Sequence, residues 1–193
     1  MKNFDELVNN ILIIESPILS DSKLSINLDN EQTNKQATND CLENGKKVKN
    51  FEKYKVYEIK NNNFRYFCFI ENNVVEGYAE FFIDEQNVYS KRVLQRKSAN
   101  NKGLLRRAFL NYFSHLFSVV ILDKIANNYG KQFFKKLMKE ANDAGFKTTI
   151  VDEKTKSEAV YEDKNFEQYW SSKTNIDGRT VGYYDLLFKI YFK

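Results

Sequence analysis

Few residues in this chain are suited to chemistry, and their spacing narrows what they can do. Glu76 and Glu80 lie in a stretch that reads as a strand, share its parity and so project from one face. Asp123 closes the apolar run Val119–Leu122, and Tyr129 follows at the start of the next helical stretch. A carboxylate, or a water it orders, can take a proton from a nucleophile, and a tyrosine can return one to a leaving group. A solvated sheet face explains the two glutamates equally well, and helix-start packing explains Tyr129. His115 is the only histidine, which excludes a two-histidine mechanism and a histidine-rich metal site. It sits mid-helix and reads as a helix-face residue rather than a base. Seven cations fall within 17 residues with no acid among them: Lys91, Arg92, Arg96, Lys97, Lys102, Arg106 and Arg107. Such a cluster can meet a phosphate group, track a nucleic acid or form a solvated face. Cys41 and Cys68 have no metal-type spacing. A reduced pair in a reducing compartment is the simpler reading, with a disulfide left open.

The elements that must position these residues centre on Val93–Asp123. An extended segment passes through a polar turn ending at Gly103 and becomes an amphipathic helix predicted over Gly103–Phe117. Leu105, Phe109, Tyr112, Phe113 and Leu116 are spaced to share its buried face. Val119–Leu122 is apolar throughout, β-branched at its first three residues, and does not alternate, which predicts a strand covered on both faces and parallel to a neighbour. Strand, helix, strand in that order is a crossover unit that leaves the turn at the mouth of the sheet. The N–H groups at such a helix start can hold an anion.

Around this stretch, the 193 residues contain 42% apolar and 15% aromatic side chains, enough for one core. The net charge of +4 is too small to indicate nucleic acid by itself. The N-terminal stretch Met1–Pro17 has acids at Asp5 and Glu6 and only a short apolar run, so it reads as neither signal peptide nor membrane span. A cytoplasmic protein with no membrane contact is the expectation. Phe4, Leu7, Val8, Ile11 and Leu12 predict a small N-terminal helix. Residues 20–50 are polar and Asn-rich. Beyond an alternating Leu24, Ile26, Leu28 they read as a loop or mobile segment, Gln32–Lys49 most of all, because they offer little to bury. From Phe51 four strands joined by Asn-rich turns make an antiparallel meander ending at Leu94. A helix over 128–144 with Phe133, Phe134, Leu137, Met138, Ala141 and Ala144 on one side, and Gly145 as its left-handed stop, comes next. Lys131, Lys135, Lys136 and Lys139 line its other side. Thr148–Val151 is a strand, Ser157–Tyr169 a helix and Val181–Phe192 a terminal strand. In all, a sheet of six or seven strands is predicted.

Meander, helix, buried strand, helix, strand, final strand is an order that resembles the GCN5-related N-acetyltransferase (GNAT) superfamily, in particular divergent versions found in phages. The resemblance covers Phe51–Lys193. It implies an α+β fold: a mixed, mostly antiparallel sheet flanked by helices, as residues 51–193, with 1–50 as a polar N-terminal extension. The family turn Arg/Gln-x-x-Gly-x-Gly/Ala falls on Asn100-Asn101-Lys102-Gly103-Leu104-Leu105, with Arg106 next. Gly103 matches; Asn100 and Leu105 depart, and a side chain at Leu105 is expected to obstruct a pyrophosphate. The resemblance further implies acetyl-coenzyme A as cofactor, no metal, and Val93, Leu94 and Gln95 offering backbone groups to the pantetheine arm. It implies Tyr129 as acid, with Asp123 and Glu80 as candidate bases, in the transfer of an acyl group to an amine-bearing substrate. The alternative is a degenerate module of the same fold, without catalysis, bound to a host protein in the host cytoplasm if phage-encoded. Nucleic-acid binding through the cation cluster is the third reading.

Overall fold

A computed structural model of the chain describes residues 26–85, 87–122, 128–171, 175–176, 179–180 and 185–193, with Asn128, Tyr129, 175–176 and 179–180 described by backbone alone. The chain divides into two compact units, one running to Glu80 and resuming over Arg92–Lys102, the other formed by Phe81–Lys91 and Gly103–Lys193.

The first unit opens with helix α1, Glu31–Asn44, where the sequence reading expects a loop. Asn30 caps it, its side chain accepting from the Thr33 N–H at 2.9 Å. The helix turns Asn34, Ala37, Thr38 and Cys41 inward. Burial of a polar asparagine is sustained by hydrogen bonds: Asn34 Nδ2 donates to the carbonyls of Leu28 (3.0 Å) and Val75 (2.8 Å), and its Oδ1 accepts from the Val75 N–H at 3.1 Å. Cys41 is bonded to Cys68 in a disulfide, in place of the reduced pair expected. These long-range ties, absent from local sequence pattern, order a helix whose own apolar content is small. Ile26 and Leu28 lie outside any strand, Leu28 in a turn.

Strands β1 (Lys46–Lys47), β2 (Lys55–Asn61) and β3 (Phe64–Glu71) pair antiparallel, β2 with β3 in register from Lys55↔Ile70 to Asn61↔Phe64. β3 turns into β4 (Val74–Asp84) through Asn72 and Asn73, both with positive φ of 50° and 58°. Two left-handed residues in a two-residue connection match the twist of a hairpin, and asparagine tolerates that conformation best after glycine. β5 is Asn87–Gln95. The side chains of Ala37 and Cys41 join Ile59, Tyr66, Cys68, Ile70, Val75 and Tyr78 in the core of this unit.

The second unit is aromatic. Helix α2 spans Leu104–Asn111, shorter than expected: Tyr112 leaves helical geometry and Phe113–His115 forms a 3₁₀ turn. A 3₁₀ residue advances about 120° rather than 100°, so the face predicted by α-periodicity drifts. Leu116 accordingly ends 42% exposed instead of buried. Phe81 packs against Phe109, Phe113 and Phe117 at 5.8, 4.8 and 4.9 Å between ring centroids. β6, Val119–Leu122, pairs parallel with β5 (Tyr89↔Ile121, Ser90↔Leu122) and antiparallel with β11, so it is interior, as its unbroken apolar run requires.

Helix α3 (Asn128–Asp143) ends on Gly145 at φ 80°, with the Phe146 N–H bonded to the Ala141 carbonyl. That is the left-handed stop the sequence predicts. β7 (Lys147–Asp152) leads into β8 (Glu158–Val160), a 3₁₀ turn at Asp163–Asn165 and the short helix α4 (Phe166–Trp170), replacing the single helix expected over Ser157–Tyr169. Its first residues are drawn into the sheet by pairing with β7, Thr149↔Val160 to Val151↔Glu158. β9 (Asn175–Ile176) and β10 (Arg179–Thr180) form a separate two-stranded pair, and β11 is Leu186–Tyr191.

The main sheet has nine strands, in the order β1-β2-β3-β4-β5-β6-β11-β7-β8. The two beyond the six or seven expected are the short edges β1 and β8. The fold class is α+β, a large, mostly antiparallel sheet with helices. Among the described residues no helix is long and apolar enough to cross a membrane. The N-terminal helix predicted over Phe4–Leu12 lies outside the described residues, as do Leu24 and residues 181–184 of the predicted terminal strand.

Candidate functional site

Gly103 is the pivot of the candidate site. Its φ of 73° is left-handed, a conformation costly for residues with a Cβ, and it forms the N-cap of α2 without a capping side chain. The helix begins properly where the Arg107 N–H bonds the Gly103 carbonyl at 3.1 Å. No acid occupies the first turn. Two guanidiniums fold back over the glycine instead: an ideal Cβ there would lie 3.2 Å from Arg106 Nη2 and 3.4 Å from Arg107 Nη1. Cations at a helix N-terminus oppose the helix dipole, and an anion at that point reconciles them. Arg106 is braced by Glu140 of α3, its Nε donating to both carboxylate oxygens at 3.1 Å. No feature of the sequence marks Glu140 as that partner, since it lies 34 residues on.

Leu104 and Leu105 are 0% and 2% exposed, both part of the core. The Leu105 side chain, expected to obstruct the turn, is buried in the core. With this left-handed φ, Gly103→Val would strain the backbone in addition to filling the space above it.

The turn ahead of Gly103 is built on the first unit. Asn100 and Lys102 are exposed, while Asn101 is 1% exposed. The Asn100 carbonyl accepts from the Tyr54 hydroxyl at 3.3 Å. Asn101 Nδ2 donates to the Glu76 carbonyl (3.1 Å) and the Glu76 carboxylate (2.6 Å), and its Oδ1 accepts from Gln95 Nε2 at 3.4 Å. Val93, Leu94 and Gln95 are half-buried on β5, beyond Ser90, the last of its residues paired with β6.

The sheet carboxylates are engaged. Glu76 also meets Arg96 at 3.7 Å, and Glu80 meets Arg92 at 4.0 Å. The Tyr78 hydroxyl donates to Glu80 at 3.2 Å, and burial, with the neighbouring Glu80 charge, pushes the Tyr78 phenol well above its ordinary value. Tyr78, fully buried, is a neighbour the sequence reading does not single out. Asp123 and the side chain of Tyr129 lie outside the described residues. His115 is exposed at the end of the 3₁₀ turn. Of the seven clustered cations, Arg92, Arg96 and Arg106 are in ion pairs, and Lys91 lies over the rings of Phe82 and Tyr89. The cluster is therefore partly neutralised, which weakens it as a nucleic-acid surface.

No protein-family model matches this chain. No curated protein sequence matches it either. Among solved structures, a protein assigned to the GNAT family from Bacteroides thetaiotaomicron superposes with a TM-score of 0.37 at 9% identity, over 68% of this chain and 63% of that one, under two thirds of its length. An acetyltransferase from Bacillus subtilis in complex with CoA gives 0.35 at 10% identity, over 67% and 76% of the two chains. The ribosomal-protein-S18-alanine N-acetyltransferase from Escherichia coli gives 0.34 at 12% identity, over 68% and 69%.

Proposed function

We propose that this chain is an acyl-coenzyme A-dependent N-acyltransferase, with the coenzyme pyrophosphate on the turn that opens α2. The observation that carries the reading is the pair of guanidiniums over a left-handed glycine at a helix N-terminus that has neither capping side chain nor acid. Amide dipoles and guanidiniums converging on one point suit a diphosphate. Burial of Leu105 leaves the approach open, so these residues fit the group. Backbone groups of Val93, Leu94 and Gln95 would take the pantetheine arm, with the thioester between β5 and β6.

When bound, the coenzyme supplies a thioester carbonyl open to direct attack by an amine. The protein's part is to orient the amine and move protons. Glu80, or a water it orders, is assigned the role of accepting the proton the amine loses, with Asp123 as the other candidate. Tyr129 is assigned the return of a proton to the departing thiolate. An amine-bearing substrate is the partner implied.

A second reading, a binding module of the same fold without catalysis, draws on a different observation. Glu76 is tied to Asn101 and Arg96, and Glu80 to Arg92 and Tyr78, so each carboxylate has a task other than proton transfer. Titration calorimetry with acetyl-coenzyme A separates the two. Saturable binding, weakened roughly tenfold by Arg106→Gln at low salt and less at high salt, supports the acyltransferase. Absence of binding by the parent protein at millimolar concentration favours the module.

A further inference from the structure

We infer that Asn101 is the positioning residue of the proposed coenzyme turn, and that Glu76 serves as its anchor rather than as a base; the inference rests on the coenzyme reading above. Within the surface run Ala99–Lys102, Asn101 alone is buried, at 1% exposure, while its neighbours on both sides are exposed. A carboxamide taken out of water is costly unless its bonds are all made. Here they are. The amide nitrogen spends its two hydrogens on the Glu76 carbonyl and the Glu76 carboxylate, and the amide oxygen accepts from Gln95. The backbone N–H is bonded to the Ser98 carbonyl at 3.2 Å.

The arrangement selects for an amide. It needs two donors aimed at a carbonyl and a carboxylate, and one acceptor aimed at a donor, in the volume of asparagine. Aspartate places a second carboxylate against Glu76, and leucine removes all three of these side-chain bonds at once. The bond to an ionised carboxylate at 2.6 Å is the charge-assisted one, stronger than its neutral counterparts. Arg96, the residue just past the end of β5, completes the anchor, its own N–H bonding the Glu76 carbonyl at 3.2 Å and its guanidinium meeting the Glu76 carboxylate. Glu76, Gln95, Arg96 and Asn101 thus fasten the turn to β4 and β5 two residues before Gly103. The backbone of the Ala99–Lys102 turn therefore has little room to wander.

The test pairs backbone hydrogen exchange with binding of desulfo-coenzyme A. Asn101→Asp should speed exchange of the amides over residues 99–104 and raise the dissociation constant roughly tenfold or more, as expected for loss of a charge-assisted bond. Exchange in the β2–β3 hairpin should stay unchanged, which a general loss of stability would not allow. Asn101→Asp combined with Glu76→Gln exchanges donor for acceptor and should recover both readouts in large part. Glu76→Gln alone keeps the backbone bond and should shift the same amides less, and it remains informative if the aspartate variant does not fold. Unchanged exchange over 99–104 in Asn101→Asp or in Glu76→Gln, or a double variant no better than the single one, overturns the inference. If the parent protein does not bind desulfo-coenzyme A, the coenzyme reading falls by itself, and the exchange arm still decides whether Asn101 holds the turn.

Discussion

Helix α1 and the Phe113 turn secure their units by different physics. Two of the four inward residues of α1, Asn34 and Thr38, are polar, and its remaining hold is Ala37 and a disulfide. The Phe113 turn is packed among rings: Phe81, Phe109, Phe117 and Tyr112 all lie within 6.2 Å of Phe113, centroid to centroid. Dispersion and apolar burial are non-directional and add up over many contacts, whereas hydrogen bonds and a disulfide fix one arrangement. The aromatic unit should therefore resist small changes and fail when a ring is removed. Helix α1 should fail by parts, each tie lost separately.

Removing a ring is the largest expected effect. Phe113→Ala, at a position 0% exposed, should cost about 3–5 kcal/mol in urea unfolding, from lost transfer energy and the cavity left behind. A cost under about 1 kcal/mol would break the contrast. Opening the Cys41–Cys68 bond comes next, at about 2–4 kcal/mol for a closed loop of this span. Exchange of α1 amides should rise in Cys41→Ser while those of α3 stay protected. Equal deprotection of both would show that the units do not fail separately. Asn34→Ala removes the bonds to the Leu28 and Val75 carbonyls and leaves the Val75 N–H only its longer one to Thr38 Oγ1 at 3.3 Å, and should cost about 1–3 kcal/mol, again confined to the first unit.

The smallest effect concerns Glu167, whose carboxyl is held below its ordinary value by hydrogen bonds from Lys131 and then Lys135. A carboxylate depressed on folding contributes stability that is full above its unfolded value and fades as pH falls through its folded one. Parent and Glu167→Gln should accordingly differ slightly in Tm at neutral pH and converge in acid. The pair is solvent-exposed, so salt should shrink the difference as well. A gap that widens in acid would show that the sign is wrong.

The same contrast explains what the sequence discloses. Asn72–Asn73 and Gly145 announce their turns because the conformations they need are local. The parallel pairing of β6 follows from an unbroken apolar run. Helix α1 is not legible, because its ties reach residues 68 and 75, far along the chain. The strand β8 is hidden for the same reason: its partner β7 draws a polar segment into the sheet. In the candidate site Gly103 is visible as a glycine between polar residues and an amphipathic helix. Burial of Asn101 among exposed neighbours, and the bracing of Arg106 by Glu140, depend on tertiary contacts that no spacing encodes.

The disulfide has one more consequence, for the making of the protein rather than its stability. These 193 residues contain only two cysteines. Within one chain their oxidation has a single possible product, so no reshuffling among wrong pairings delays maturation. Errors can arise only between chains, as disulfide-linked oligomers whose yield grows with concentration. Dilute oxidative refolding should then give one species, and crowded refolding a ladder of linked species beside it.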